Sequence, residues 1–482
     1  MNNIKQKTKI GMIWNVLEKF LVQSISFVLN VFLARLLTPK DYGTIGMLAI
    51  FLSFSNVFID SGFSRALIQN QNRTETDYST SLIFNFVVGL VIYTGLFFAS
   101  PVIASFYKTP ELVSLQRVFF IIIILNSLVV VQNAKLQANI DFKNIAIINS
   151  VSSFSSGIFG IIAAYNGFGP WALVIQSLSK AFVSVLCFWI RARWFPKTGF
   201  SFESFKTLFG FGSKLLASGF LSITITNIEN LFIGKKYSAE NLGYYTRAQQ
   251  FPELTSGTLA SVLNNATFPL MSSLQDDKES LCATFKKLIR MTAMLVFPLM
   301  IGIALLSKPI ILVLLGEKWL FSSELLFWLA LSYIFTPLSI LNMNILNAIG
   351  RSDLFLKVDL SKTPIIIMAM IITFPISIKA VVIGKVVCAF IYYYINAFMI
   401  GRIYSFGAFK QLACSWKYIV SSAIMAICVI LADKLILSNF WSLIIGISVG
   451  IIVYTLFLLV LRDEEFLGMI SKFLNRKARS GE

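Results

Sequence analysis

"RLLTPKDYGTIG" (35–46) and "KKYSAENLGYYT" (235–246) are one hinge written twice. At a constant offset of 200 residues, Arg35 aligns with Lys235, Thr38 with Ser238, Asp41 with Asn241 and Gly43 with Gly243. Each stretch is a polar island between long apolar blocks. Chance supplies one such match between two loops far more readily than several in one ungapped register. The spacing therefore points to an internal duplication.

The blocks around the hinge set the class. Of 482 residues, 56% are apolar and 13% charged, more apolar side chain than soluble cores of this size can hide. Crossing the hydrocarbon of a bilayer takes about 20 apolar residues in a helix, and blocks of that length recur from Ile10 to Leu461. The short alternating segments of a transmembrane barrel are absent. The expectation is an all-α polytopic membrane protein of about fourteen spans: 12–34, 43–66, 80–106, 112–134, 144–165, 169–190, 210–233, 243–270, 287–308, 320–348, 355–376, 379–401, 416–437 and 439–461. "NGFGP" (166–170) reads as a tight turn between two of them. The basic N-terminal stretch leads into an apolar run too long for a signal peptide, so it is read as a retained first helix.

Basic residues set the orientation. With the N-terminus inside, about 24 Lys and Arg fall in cytoplasmic segments and about nine in outer turns, the bias expected of membrane topology. Both termini are then cytoplasmic. The formal charge of +18 is explained by those loops without invoking nucleic acid. Five cysteines with no CxxC suggest neither a disulfide framework nor a metal site. The absence of histidine removes the commonest proton-relay side chain.

An offset of six spans preserves orientation, so the halves are parallel repeats about an axis along the membrane normal. The expected organisation is an N-terminal six-helix lobe (1–190), a cytoplasmic amphipathic connector (191–209), a second pseudo-symmetric six-helix lobe (210–401), two extra spans (402–461) and a basic amphipathic tail (462–482). In 199–212 and 465–479 the apolar residues share a helical face, with Phe202, Phe205 and Phe209 in the first and Phe466, Ile470, Phe473 and Leu474 in the second. Both are expected to lie flat in the headgroup layer.

Several stretches carry a family resemblance: "LARLLTPKDYGTIGM" (33–47), "GFSRALIQN" (62–70), "TDYSTSLIFN" (76–85), "GFGPWALVIQ" (167–176), "NLGYYTRAQQFPELTSG" (241–257), "FPLMSSLQDD" (268–277) and "LNAIGRSD" (346–353). Together and in this order they make the chain resemble the polysaccharide exporters, the Wzx (WzxC-like) O-antigen flippases. That branch belongs to the MOP superfamily, which also holds the MATE drug exporters and the lipid II flippases. The resemblance implies a V-shaped two-lobe fold. It also implies movement of an undecaprenyl-diphosphate-linked oligosaccharide from the cytoplasmic to the periplasmic leaflet of a bacterial inner membrane, for O-antigen, capsule or exopolysaccharide. A polysaccharide polymerase and a chain-length regulator are the protein partners it would suggest, besides membrane lipid and the lipid-linked substrate.

A diphosphate headgroup needs a wet, cationic path, and a charge at the bilayer centre costs about 2.5–3.5 kcal/mol on insertion scales. Basic residues inside spans are therefore the first place to look. In span one, Asn15, Lys19 and Gln23 share a face at i, i+4 spacing. Lys19 is the diphosphate candidate, and Glu18 either holds it or binds a coupling cation. Arg65 sits near the cytoplasmic mouth with Asp60, where a guanidinium fork suits phosphate, although plain topology explains it as well. Arg247 in span eight is the second phosphate candidate, with Glu229 a possible partner from span seven and Glu253 further down. Lys180, Lys362 and Lys385 are further intramembrane cations, and Thr363-Pro364 is where a broken helix would expose carbonyls. None of these charges repeats at the 200-residue offset.

No P-loop and no sizeable outer loop is present. An enzyme is therefore not expected, nor a resident cofactor or metal. A proton or sodium gradient, acting through Glu18, Asp60, Glu229 or Glu253, remains as an energy source, as does pull from product removal. The competing reading is a MATE-like, cation-coupled exporter of small molecules.

Overall fold

The computed structural model describes residues 2–60, 62–70, 72–469 and 471. Among them the regular elements are all helical. In chain order they are α1 (Asn2–Leu36), α2 (Pro39–Asp60), α3 (Phe63–Gln69), α4 (Glu75–Tyr107), α5 (Leu112–Phe119), α6 (Ile121–Ser127), α7 (Val130–Ala138), α8 (Phe142–Tyr165), α9 (Trp171–Ala192) and α10 (Phe202–Lys236). There follow α11 (Ala239–Ser273), α12 (Lys278–Leu305), α13 (Ser307–Leu314), α14 (Leu320–Ser332), α15 (Thr336–Ala348), α16 (Ser352–Thr373), α17 (Ile378–Tyr404), α18 (Ala408–Cys414), α19 (Trp416–Leu435) and α20 (Asn439–Val460). Eleven segments of the described residues are long and apolar enough to cross a membrane. The expected spans over 210–233, 243–270 and 355–376 are also unbroken helices, α10, α11 and α16. The chain is a multi-pass membrane protein. It divides into two compact units, Met1–Gly243 and Tyr244–Glu482.

In the first unit the doubled hinge acquires a physical meaning. Thr38 precedes α2, and its hydroxyl accepts a hydrogen bond from the Asp41 N–H at 3.3 Å, while the Asp41 carboxylate accepts from the Thr38 N–H at 2.8 Å. This is a reciprocal capping box, which satisfies amides that a helix start leaves open. Ser238 does the same service before α11, its hydroxyl accepting from the Asn241 N–H at 3.1 Å and from the Asn241 side chain at 3.0 Å. The two capped starts then touch. A Cβ on Gly43 would fall on the carbonyl oxygen of Ala239, and one on Gly243 would fall on the carbonyl oxygen of Pro39. Pro39 and Ala239 are themselves aligned at the 200-residue offset. The contact is therefore reciprocal, and hydrogen is the one side chain that fits at either glycine.

Small residues also bring α8 against its neighbours. Ser152, Ser153, Ser156, Gly157 and Gly160 are buried. A Cβ on Gly157 would strike the Leu29 side chain of α1, and one on Gly160 would lie 2.9 Å from Cβ of Gln176 on α9. Close backbone approach of this kind is how helices associate where lipid supplies no hydrophobic drive.

The connector differs from its expected form. Ser201 caps α10, which then runs unbroken from Phe202 to Lys236, so 199–212 is the foot of a long helix and not a separate helix on the headgroups. Phe205 and Phe209 stack at 5.2 Å, and both reach Phe63 and Phe84. Leu208 is buried among the same side chains. Protein takes only part of the apolar face that was assigned to lipid, since Phe202 and Phe209 stay exposed. Gly62, at φ +72°, turns the chain between α2 and α3, where a Cβ would lie 2.7 Å from Cα of Gly212 in α10. Span four is broken into α5, α6 and α7, and span ten into α14 and α15.

In the second unit α19 and α20 pack on α12 and α13. The Tyr454 hydroxyl donates to the Met294 carbonyl at 2.6 Å. A buried amide pair fastens the core: Gln411 donates to Asn342 at 2.8 Å and Asn342 donates back at 3.1 Å, with the Tyr393 hydroxyl on Gln411 at 3.1 Å. The tail begins with Asp463, which accepts from Tyr418 at 3.2 Å, and Glu465, which pairs with Arg290 at 2.9 Å. Phe466 packs against the core of this unit, while Ile470, Phe473 and Leu474 of the expected amphipathic tail lie outside the described residues.

The packing at the hinge predicts that Gly43→Ala lowers stability by about 1–3 kcal/mol, as overpacking against backbone does. Thermal unfolding of the detergent-solubilised protein should show it. Gly95→Ala, which meets no atom within 4 Å, should leave the unfolding temperature unchanged.

Candidate functional site: charges on the spanning helices

The first unit holds Glu18, Lys19, Gln23, Asp60, Arg65 and Glu229. Glu18, half-buried on α1, accepts a hydrogen bond from the Asn149 amide of α8 at 2.6 Å. Asn149 was missed in the sequence, although an amide inside "AIINSVSSF" (146–154) is itself a signal in a spanning helix. Lys19, the next residue, is exposed and Gln23 is half-buried. The Asn15 side chain, expected on the same stripe, lies outside the described residues. Asp60 is the last residue of α2 and half-buried, and Arg65, on the exposed side of α3, acts on it electrostatically while the Ser64 N–H bonds it. Glu229 is half-buried on α10 beside Asn227, whose amide returns to the Ile223 carbonyl at 3.1 Å. Lys180 is exposed on α9.

Arg117 was also overlooked. It lies on α5 within an expected span. Its guanidinium sits 4.5 Å from the Phe97 ring centroid and donates to the Ser100 hydroxyl at 3.1 Å. Cation–π contact and a hydroxyl are what a cation needs to remain at such depth.

In the second unit, Arg247 stands on α11 and donates to Gln250, one turn on, at 2.8 Å. On the same helix Tyr245, fully buried, accepts from Lys385 of α17 at 3.0 Å, and Gln249 donates to Tyr333 at 3.3 Å where α14 gives way to α15. Residues two apart on a helix do not share a face, so Arg247 with Gln250 and Tyr245 with Lys385 are separate polar contacts on α11, and the Arg247 guanidinium is the group there that suits an anion by charge and by direction. Glu253 is exposed further along. Lys362 pairs with Asp359 at 3.1 Å on α16. That helix continues through Pro364, so the break expected there does not form.

The remaining family stretches turn out to be punctuation. Thr74 and Asp77 build a capping box before α4. Asp277 caps α12, and the hydrogen bonds from Ser280 hold its carboxyl below the usual range. In "LNAIGRSD" the Arg351 guanidinium forks onto Asp353 at 2.8 and 2.9 Å, which holds that carboxyl down at about 2. These are exposed pairs that shape a turn. Among the described residues no group of three or more acidic, cysteine or histidine side chains could hold a metal.

Fold and charge pattern together define a helical multi-pass membrane protein with cations on its spanning helices. Its likeness to the lipid II flippase MurJ in an inward closed conformation has a TM-score of 0.75, at 18% identity, over 94% of this chain and 99% of that one. An inward-facing MATE-family multidrug transporter follows at a TM-score of 0.59 and 14% identity, over 81% of this chain and 99% of that one. Residues 32–324 match the sequence profile of the family described as "Polysaccharide biosynthesis protein", and the chain belongs to that family. It is 28% identical to the teichuronic acid biosynthesis protein TuaB of Bacillus subtilis over 73% of this chain and 74% of that protein. It is 22% identical to the lipopolysaccharide biosynthesis protein WzxC of Escherichia coli over 77% and 76%.

The Glu18–Asn149 bond predicts a double-mutant cycle. Asn149→Leu, which leaves a half-buried carboxylate without its donor, should destabilise by about 1–3 kcal/mol. Adding Glu18→Leu should recover most of that loss, read as the unfolding temperature of the purified protein.

Proposed function

We propose that this protein is a flippase. It moves oligosaccharide repeat units linked to undecaprenyl diphosphate from the cytoplasmic to the outer leaflet of a bacterial cytoplasmic membrane by alternating access, and so supplies surface polysaccharide synthesis. The observation that carries the reading is the placement of fixed cations on spanning helices, Lys19 on α1 and Arg247 with Lys385 around α11. A diphosphate left in hydrocarbon would be prohibitively unstable without counter-charge, and guanidinium recognises phosphate oxygens in pairs. The apolar polyprenyl tail needs no such path. Membership of a polysaccharide biosynthesis family and the likeness to a lipid II flippase support the same reading. So do relatives named as a succinoglycan biosynthesis transport protein and a putative O-antigen transporter. On this reading the chain carries out transport and no bond is made or broken. A polymerase and a chain-length regulator are its natural neighbours.

The small-molecule exporter reading draws on the MATE-like fold. It would favour acidic side chains for cationic cargo, and the exposed Glu253 beside Arg247 on α11 is the residue it would draw on.

Deleting the gene should abolish surface polysaccharide while lipid-linked repeat units accumulate on the cytoplasmic face. Complementation with Lys19→Ala or Arg247→Ala should restore roughly a tenth or less of the glycan at equal protein levels, the size of one lost charge-assisted contact, and Arg247→Lys should restore more than Arg247→Ala. Unchanged glycan together with lost tolerance to cationic dyes would transfer the assignment to the exporter reading.

A further inference from the structure

The first unit buries a set of polar atoms that its own hydrogen bonds do not use. Among the described residues, Oγ of Ser81, both amide atoms of Asn85, both amide atoms of Gln132 and Oδ1 of Asp60 are buried with no hydrogen-bond partner. Ser81, Asn85 and Gln132 are 0% exposed. In the second unit the buried amides Asn342 and Gln411 pair with each other, while Oδ1 of Asn396 and the hydroxyls of Ser421 and Ser422 are also buried without a partner. Buried polar groups are nearly always paired, so open ones at this density call for a missing partner.

Three contacts fix where they lie. α4 runs antiparallel to the broken span α5–α7. Near one end Gln116 donates to the Leu96 carbonyl at 2.8 Å. In the middle a Cβ on Gly89 would lie 3.1 Å from Cβ of Ser127. Near the other end the Lys135 ammonium lies 5.6 Å from the Tyr78 ring centroid. In that register Gln132 falls opposite 81–85. α2 runs parallel to α6, with Asn126 donating to Asn56 at 3.1 Å. One turn beyond Asn56 is Asp60, and one turn beyond Asn126 is the start of α7. The four side chains therefore converge at one depth, where α2 ends at Asp60 and the span of α6 and α7 is broken at 128–129. A helix C-terminus directs partial negative charge at its end, and helix breaks in transporters are where carbonyls meet cations.

We propose that Asp60, Ser81, Asn85 and Gln132 form a buried sodium site between the end of α2, α4 and α7. The donors are all oxygen: a carboxylate, a hydroxyl and two amide carbonyls, since each amide can turn its oxygen inward. Hard oxygens select a hard cation. One carboxylate suits a single positive charge, while divalent ions are held through more acidic ligands or bound phosphates. Arg65 and Lys135 are the nearby cations. Arg65 is exposed on α3, and Lys135 lies over the rings of Tyr78 and Trp194 and feels Glu75. The site makes Asp60 the coupling carboxylate of the proposed transport cycle; that role rests on the transport reading, while the binding of sodium does not.

The test uses the full-length protein in nanodiscs without lipid-linked sugar. Binding of radioactive sodium ions is measured by scintillation proximity, and unfolding temperature in sodium chloride against choline chloride at equal ionic strength. The site predicts saturable binding and a sodium-specific rise in unfolding temperature. Asp60→Asn and Gln132→Leu should each weaken binding about tenfold or more, the size of one lost contact to a charged group. In choline, Gln132→Leu should be at least as stable as the parent, because it removes unpartnered buried atoms; that outcome separates loss of a ligand from loss of fold. Glu203→Gln, at an exposed position in the first turn of α10, should bind sodium as the parent does. The site is refuted by the absence of a sodium-specific shift, by undiminished binding in both variants, or by a response to pH alone, which would mean that Asp60 takes a proton and water fills the rest. Sodium binding without any sodium-dependent flux would leave the site standing and remove its coupling role.

Discussion

Two helices can start against each other at van der Waals distance of their backbones only if neither has a side chain there. Gly43 and Gly243 meet that condition reciprocally, each against the carbonyl of the residue that opens the other's helix. The surrounding design follows. Thr38 with Asp41, and Ser238 with Asn241, finish the open amides of the two helix starts from within, so the amides need no partner across the contact. A residue that must not have a Cβ, four positions after a residue that can open a helix and five after a capping hydroxyl, is a demanding pattern, and the chain carries it twice.

The hinge is duplicated and the candidate site charges are not. Caps, glycines and turns are repeated or shared with the family, because they answer to backbone geometry, which both halves obey. On the proposed flippase reading the charges answer to one asymmetric headgroup. Lys19, Arg117, Arg247 and Lys385 have no counterparts at the repeat offset, and the last three are held in different ways, Arg117 by an aromatic face and a hydroxyl, Arg247 by an amide and Lys385 by a phenol. Keeping a cation in a spanning helix costs free energy that packing alone does not return, and function is the reason to retain it.

Much of the fold was legible because its signals are local. Apolar run length gave the spans, the repeat offset gave the hinge, and "NGFGP" gave a turn in which Gly167 and Gly169 take positive φ. What escaped depends on partners distant in sequence. Phe205 and Phe209 present the same amphipathic face whether they meet lipid or Phe63 and Phe84, so the connector was assigned to the membrane surface. The breaks at 120 and 128–129 carry neither proline nor glycine and arise from packing. Pro364, a true breaker by type, sits in a helix that stays whole. Glu18 could be noticed but its partner Asn149 could not, since hydrogen bonding across 131 residues leaves no mark on spacing. Asn85 and Gln132 look like ordinary polar residues until their burial is known.

The account stands on a cationic route for a diphosphate headgroup, and reconstitution tests it most directly. Proteoliposomes would carry polyprenyl-diphosphate oligosaccharide with its headgroup on one leaflet, and the measurement is the fraction that becomes accessible to an added glycosidase on the other side. The account predicts protein-dependent transfer that Arg247→Ala suppresses. A headgroup that stays in place, in vesicles where the same protein moves a small organic cation, would contradict it.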